Sequence, residues 1–244
     1  VDIGHFSISP DGKLVVFAAL SEYQDSWTVE IPGKKKGKRY NWTKEPTVIK
    51  TLHWRYDGKG ELKNGEHHLY LVSSNGGAAQ KISDWGLDYV SDLSWMDESR
   101  VVFTGNNELD DMRTPWKQTS IFSLDLNSRV VEKISPRNGV YTKPVVSPDN
   151  QKIAFLGTES RDYSSVAFDL WILSKNSARK ITEDLSSTPN EVIWTSNQTL
   201  VINVDERGSR KLKSMGKRMR GLKSGDKEIG ETIEETKLKL KAID

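Results

Sequence analysis

Apolar residues along this chain fall in short runs of four or five, separated by polar turns, and both runs and turns recur. Leu14-Val15-Val16-Phe17 follows Ser9-Pro10-Asp11-Gly12, and Ile153-Ala154-Phe155-Leu156 follows Ser147-Pro148-Asp149-Asn150. The turn chemistry is legible. Proline fixes φ near roughly −65° at the second turn position, aspartate bonds nearby backbone amides, and glycine or asparagine accepts the positive φ that reverses the chain. A strand must follow. The next strand in each unit is of the type His68-Leu69-Tyr70-Leu71-Val72, Ile121-Phe122-Ser123-Leu124 or Asp169-Leu170-Trp171-Ile172-Leu173. Each unit then closes with Gln80-Lys81-Ile82-Ser83, Glu132-Lys133-Ile134-Ser135 or Arg179-Lys180-Ile181-Thr182. The pattern predicts four short strands per unit.

Three ladders set the period. Trp95, Val146 and Trp194, each just before a turn, are 51 and 48 residues apart. Leu69, Ile121 and Leu170, read as an inner-strand position, are 52 and 49 apart; the closing Ile82, Ile134 and Ile181 are 52 and 47 apart. A period of about 40 to 50 residues in a strand-rich sequence points to propeller blades. A β-sandwich is the alternative, but sandwiches do not normally repeat at three positions with one spacing. The units span residues 6–83, 89–135, 143–182 and 191 to about 224, and the stretch after Glu228 opens a fifth. The expected fold is therefore all-β, a β-propeller of four-stranded antiparallel blades, incomplete at about four blades plus part of a fifth. Such a ring leaves blade edges open, and open edges invite self-association.

Residues 1–206 are read as blades, the first carrying an insertion at about 27–66, and residues 207–244 as a basic, poorly patterned last blade or tail. Charge separates the two. The net +2 of the 244 residues divides into +6 after Glu206, from twelve Lys/Arg and six Asp/Glu, and −4 before it. The basic stretch also has no Trp, Tyr or Phe. No cysteine is present, which excludes disulfides and metal–thiolate sites and fits a reducing compartment. No apolar run approaches the roughly 18 residues that cross a bilayer, and the first residues do not resemble a signal peptide. A cytoplasmic location, with no membrane partner, is expected. Val1 lies already within a strand-like run, so the chain is expected to be a piece of a longer protein.

The Ser-Pro-Asp-Gly turn, Asp169-Leu170-Trp171 and Lys180-Ile181-Thr182 resemble the propeller repeats of the prolyl-oligopeptidase superfamily and of TolB-like proteins. Trp54-Arg55-Tyr56-Asp57-Gly58-Lys59-Gly60, followed by His67-His68-Leu69-Tyr70-Leu71-Val72, resembles the early propeller segment of acylaminoacyl peptidases. In such enzymes the resemblance implies a propeller that precedes an α/β-hydrolase domain and admits short or N-acylated peptides while excluding folded proteins. The hydrolase domain needs a Gly-x-Ser-x-Gly elbow, an acid and a histidine in that order. No Gly-x-Ser-x-Gly occurs, and His5, His53, His67 and His68 all lie in the first third. The chain is thus expected to be non-catalytic, with no catalytic, cofactor or metal residues, and its parent a serine peptidase acting on a peptide substrate.

Other clusters favour plain readings. Adjacent strand residues such as His67 and His68 point to opposite faces and do not readily share a metal. Glu108, Asp110 and Asp111 read as a solvated loop, as does Lys34-Lys35-Lys36-Gly37-Lys38-Arg39 beside Tyr40 and Trp42. Nucleic acid is not an expected partner, because one short basic run stands against a net negative blade region. The sequons at Asn41 and Asn197 are read as chance. Two functions compete: a gating propeller separated from its hydrolase domain, and a free-standing TolB-like propeller that serves as a protein-interaction scaffold.

Overall fold

The computed structural model describes residues 3–23, 55–58, 60–63, 65–87, 89–106, 119–136, 139–159, 167–175, 177–182 and 187–215. Regular structure in these residues is β-strand. Blade I begins with β1 (Ile3–Ile8) and β2 (Leu14–Glu22), leads through a small hairpin of β3 (Arg55–Tyr56) and β4 (Gly60–Glu61), and ends with β5 (Gly65–Ser73) and β6 (Gln80–Lys81). Blade II comprises β7 (Tyr89–Trp95), β8 (Arg100–Asn106), β9 (Ser120–Asp125) and β10 (Val131–Lys133). Blade III comprises β11 (Val140–Val146), β12 (Lys152–Thr158), β13 (Asp169–Ser174) and β14 (Ser177–Lys180). Blade IV has β15 (Pro189–Ser196), β16 (Thr199–Glu206) and β17 (Ser209–Met215), so its third strand comes from the basic stretch. Within each blade the strands lie in chain order and pair antiparallel.

The first strands of successive blades pack on one another, β1 on β7, β7 on β11 and β11 on β15, which places them nearest the axis. This corrects one sequence reading. Leu69, Ile121 and Leu170 lie on the third strand of their blades, not the innermost, and are fully buried between blades. Blades I, III and IV also begin two or three residues earlier than the alternation predicts. Register shifts interrupt their first strands at Ile3/His5, Thr142/Val145 and Pro189/Glu191, and a bulge breaks the period-two pattern on which such a boundary depends.

The core is a set of layers between blades. Val16, Ala18 and Leu69 of blade I meet Trp95, Val101, Phe103 and Phe122 of blade II. Val102 and Ile121 meet Tyr141, Ile153, Phe155 and Trp171. Ala154, Leu156, Leu170 and Ile172 meet Val192, Leu200, Ile202 and Val204. Full burial of each large aliphatic or aromatic side chain contributes about 1.5–3 kcal/mol. Strand sequence follows coverage. β8 and β12 are buried from their second residue onward, because a blade covers each face. In β16, burial alternates residue by residue, because blade III covers one face.

Local polar chemistry repeats with the blades. Ser9 Oγ donates to Asp11 Oδ1 (2.7 Å) and accepts from the Leu14 N–H (2.9 Å); Ser147 Oγ does the same with Asp149 (2.6 Å) and Lys152 N–H (2.9 Å). The seryl hydroxyl holds the Asp11 carboxyl down to about 2 and lowers that of Asp149 likewise. Gly12 (φ 72°) and Asn150 (φ 57°) reverse the chain as expected. At the blade end, Ser83 and Ser135 Oγ and Thr182 Oγ1 accept the N–H groups of Leu69 (3.0 Å), Ile121 (3.1 Å) and Leu170 (2.8 Å). The residue after each closing isoleucine thus satisfies a buried amide that the short fourth strand does not reach.

Candidate functional site

Three positions before the residue that precedes each turn, the four axial strands carry His5, Asp92, Lys143 and Glu191, one ionisable residue per blade. Each lies at or beside a register shift. Asp92 (φ 51°) and Lys143 (φ 55°) adopt the left-handed region, which residues other than glycine seldom enter. Such conformations persist where the surroundings hold them and recur at functional sites.

A polar chain joins Asp92 to Lys143 and continues into blade IV. Asp92 Oδ2 accepts from Ser91 Oγ (2.9 Å), Thr142 Oγ1 (3.0 Å) and the Lys143 N–H (3.2 Å). Lys143 Nζ donates to the Asn190 carbonyl (2.6 Å). Asn190 Nδ2 donates to Asp205 Oδ2 (2.8 Å), and Arg210 Nε to Asp205 Oδ1 (3.3 Å), an arrangement that lowers the Asp205 carboxyl below its ordinary range. His5 and Glu191, at the two ends of the row, are exposed. The row offers charge and hydrogen bonds on the axial side and pairs no nucleophile with a base. It carries its own sequence signal, since it keeps the blade period; the bulges conceal it by shifting the alternation at each of its members.

Of the residues weighed from sequence, His68 has the densest surroundings. It is buried, with Nδ1 3.3 Å from Ser83 Oγ and Nε2 3.3 Å from Lys81 Nζ and 3.6 Å from Glu66 Oε2. A serine, a histidine and a carboxylate come together here, and which of these contacts the ring donates follows from its tautomer. Ser83 is itself buried and occupied by the Leu69 amide, as its counterparts Ser135 and Thr182 are in blades II and III. Burial, followed by the Lys81 charge, lowers the His68 pKa, with Glu66 opposing.

Asn197 lies in the turn before β16, where its carbonyl accepts from Lys152 Nζ (2.8 Å). In β17, Lys211 and Lys213 flank Glu206 at 3.5 and 3.4 Å. Residues 34–42, with the basic run and Asn41, lie outside the described residues, as do His53, Glu108, Asp110, Asp111 and residues 216–244.

No family model matches the chain. Dipeptidyl-peptidase 5 of Arthroderma otae is 31% identical over a 98-residue alignment that covers 35% of this chain and 14% of the relative. Acylaminoacyl peptidase of Pyrococcus horikoshii superposes with a TM-score of 0.61 at 13% identity, over 88% of this chain and 30% of that one. TolB of Acinetobacter baumannii superposes with a TM-score of 0.51 at 15% identity, over 86% and 40%. The chain thus spans less than half the length of each of these three proteins, and at these identities the structural likeness concerns the fold. Its described residues form an arc of four blades with the propeller fold seen in acylaminoacyl peptidase and TolB.

Proposed function

We propose that this chain is the non-catalytic gating propeller of a serine peptidase of the acylaminoacyl-peptidase kind, which admits short or N-acylated peptides to a hydrolase domain lying outside it. The observation that carries this reading is the axial row His5, Asp92, Lys143 and Glu191, which sets charge of both signs along the innermost strands of a peptidase-type propeller. A peptide passing near the axis meets acceptors for its amine and a donor for its carboxylate, whereas acyl transfer itself needs a base-activated nucleophile and an oxyanion site. A cytoplasmic location belongs to this proposal, on the ground that the chain has no cysteine.

The purified chain is expected to hydrolyse neither p-nitrophenyl esters nor acetylated peptides. Turnover above a heat-killed control, together with fluorophosphonate labelling, overturns this. Gene sequence beyond Asp244 tests the parentage: a Gly-x-Ser-x-Gly followed by an acid and a histidine supports it. Further blades and then a stop favour the second reading, a free-standing interaction propeller, for which the exposed apolar side chains Ile3, Phe6 and Ile8 of β1 are the specific observation.

A further inference from the structure

The ammonium of Lys143 is bonded to a neutral group, the Asn190 carbonyl at 2.6 Å, and among the described residues neither a carboxylate nor a ring accompanies it. Other lysines of the blades are held differently. Lys13, Lys180 and Lys213 pair with Asp11 (3.1 Å), Asp169 (3.4 Å) and Glu206 (3.4 Å). Lys152 also donates to a carbonyl, that of Asn197, but its ammonium lies over the Trp194 ring, 5.9 Å from the centroid. Lys143 is half-buried. A cation partly withdrawn from water without a counter-charge is held at a cost, which an anion brought to it recovers. One donor of its three is committed to Asn190, so two remain for a ligand.

The backbone fixes this arrangement. Lys143 stands at φ 55°, and one side chain of the neighbouring blade braces it there: Asp92 Oδ2 accepts the Lys143 N–H (3.2 Å) and Thr142 Oγ1 (3.0 Å). Asp92 therefore takes the amide of Lys143 and not its ammonium, and the two opposite charges form no ion pair with each other. The lysine side chain is sent onward to blade IV. Left-handed strain in a residue other than glycine is kept where its surroundings over-determine it, and such residues cluster at ligand sites. The carboxylates of the row do not supply the missing anion. Asp92 Oδ2 already carries three donors, and Glu191 is exposed, where water weakens its field.

Position supplies the class of ligand. Lys143 lies on the axial strand of blade III, and an N-acylated peptide, whose amine is blocked, carries a single terminal charge, its C-terminal carboxylate. We propose that Lys143 binds that carboxylate and makes the axial site selective for peptides that end in a free acid, with Asp92 as its positioning residue. That the peptide is acylated rests on the gating reading; that Lys143 lacks an anion does not.

An NMR titration of the purified chain with acetyl-trialanine and with its C-terminal amide tests this, with folding of each variant checked by circular dichroism. Wild type is expected to bind the acid about tenfold more tightly than the amide, with shifts at the backbone amides of Lys143 and Asn190. Lys143→Met should bind both peptides alike, and Lys143→Arg should keep part of the preference. Asp92→Ala should weaken binding of the acid and leave the amide unchanged, whereas a general loss of stability would affect both. Asp92→Asn, which retains an oxygen acceptor, should restore the preference. Equal binding of acid and amide by wild type, binding of neither, or a preference that survives Lys143→Met overturns the proposal. Lys143→Gln takes the place of Lys143→Met should that variant misfold. The gating reading falls separately: a gene without Gly-x-Ser-x-Gly beyond Asp244 removes the gate and leaves the preference for the acid standing.

Discussion

Thr182 Oγ1 receives the Leu170 N–H and donates to Asp169 Oδ1 (3.2 Å), so one hydroxyl serves a buried amide and a carboxylate at once. Thr182→Ala leaves that amide unsatisfied, and the expected cost is about 1–3 kcal/mol in urea unfolding. Thr182→Ser, which keeps the oxygen, should recover most of it. His68 acts through charge. Its pKa is lowered in the folded state, so the unfolded chain binds more protons and stability rises with pH across that window. The contribution is complete above the unfolded value of about 6.5 and is lost as pH falls from there toward the lower folded value. Between pH 7.5 and 5.5, about one unit either side of that value, wild type should lose stability. His68→Gln, which cannot protonate, should show a flatter profile over the same range, and an unchanged slope would remove His68 as its source.

Between elements, two indoles make the same connection. Trp95 Nε1 donates to the Ser7 carbonyl (3.1 Å) and Trp194 Nε1 to the Val145 carbonyl (2.9 Å), each reaching from one axial strand to the preceding blade, two residues before its turn serine. Trp194→Phe should cost about 1 kcal/mol for the hydrogen bond, plus lost packing. Its effect should be local, since each repeat touches only its neighbours. Hydrogen exchange is the measurement: amides of β15 to β17 should exchange faster while those of β8 and β9 hold their rates. The tryptophan ladder was legible in the sequence, as were the serine turns and the closing isoleucines, because each follows from local residue types repeated at one interval. The axial row was not. Asp92 and Lys143 sit on bulges that shift the alternation, so their common place in the period does not stand out from the polar residues beside them. The Leu69 ladder was found but assigned to the wrong strand, since full burial arises equally from an axial position and from a layer between blades.

At the scale of the whole molecule, the arc has a direction. Blades I to III are not interchangeable plates but oriented ones, with a stacked aromatic pair on one face (Phe17–Tyr70, Phe103–Phe122, Phe155–Trp171) and mainly aliphatic residues on the other; the I–II and II–III interfaces set one kind against the other, whereas III meets IV through aliphatic residues on both sides. The sequence showed the repeat but not this polarity, because neighbouring residues of a doubly covered strand such as Val101-Val102-Phe103 are all apolar and reveal which face is which only once their partners are known. The polarity bears on how such chains change over time. A segment of one period carries one surface of each sort, so duplicating or deleting it inside the gene leaves every remaining junction chemically matched. Blade number can then change by recombination without a compensating substitution at the joints between blades.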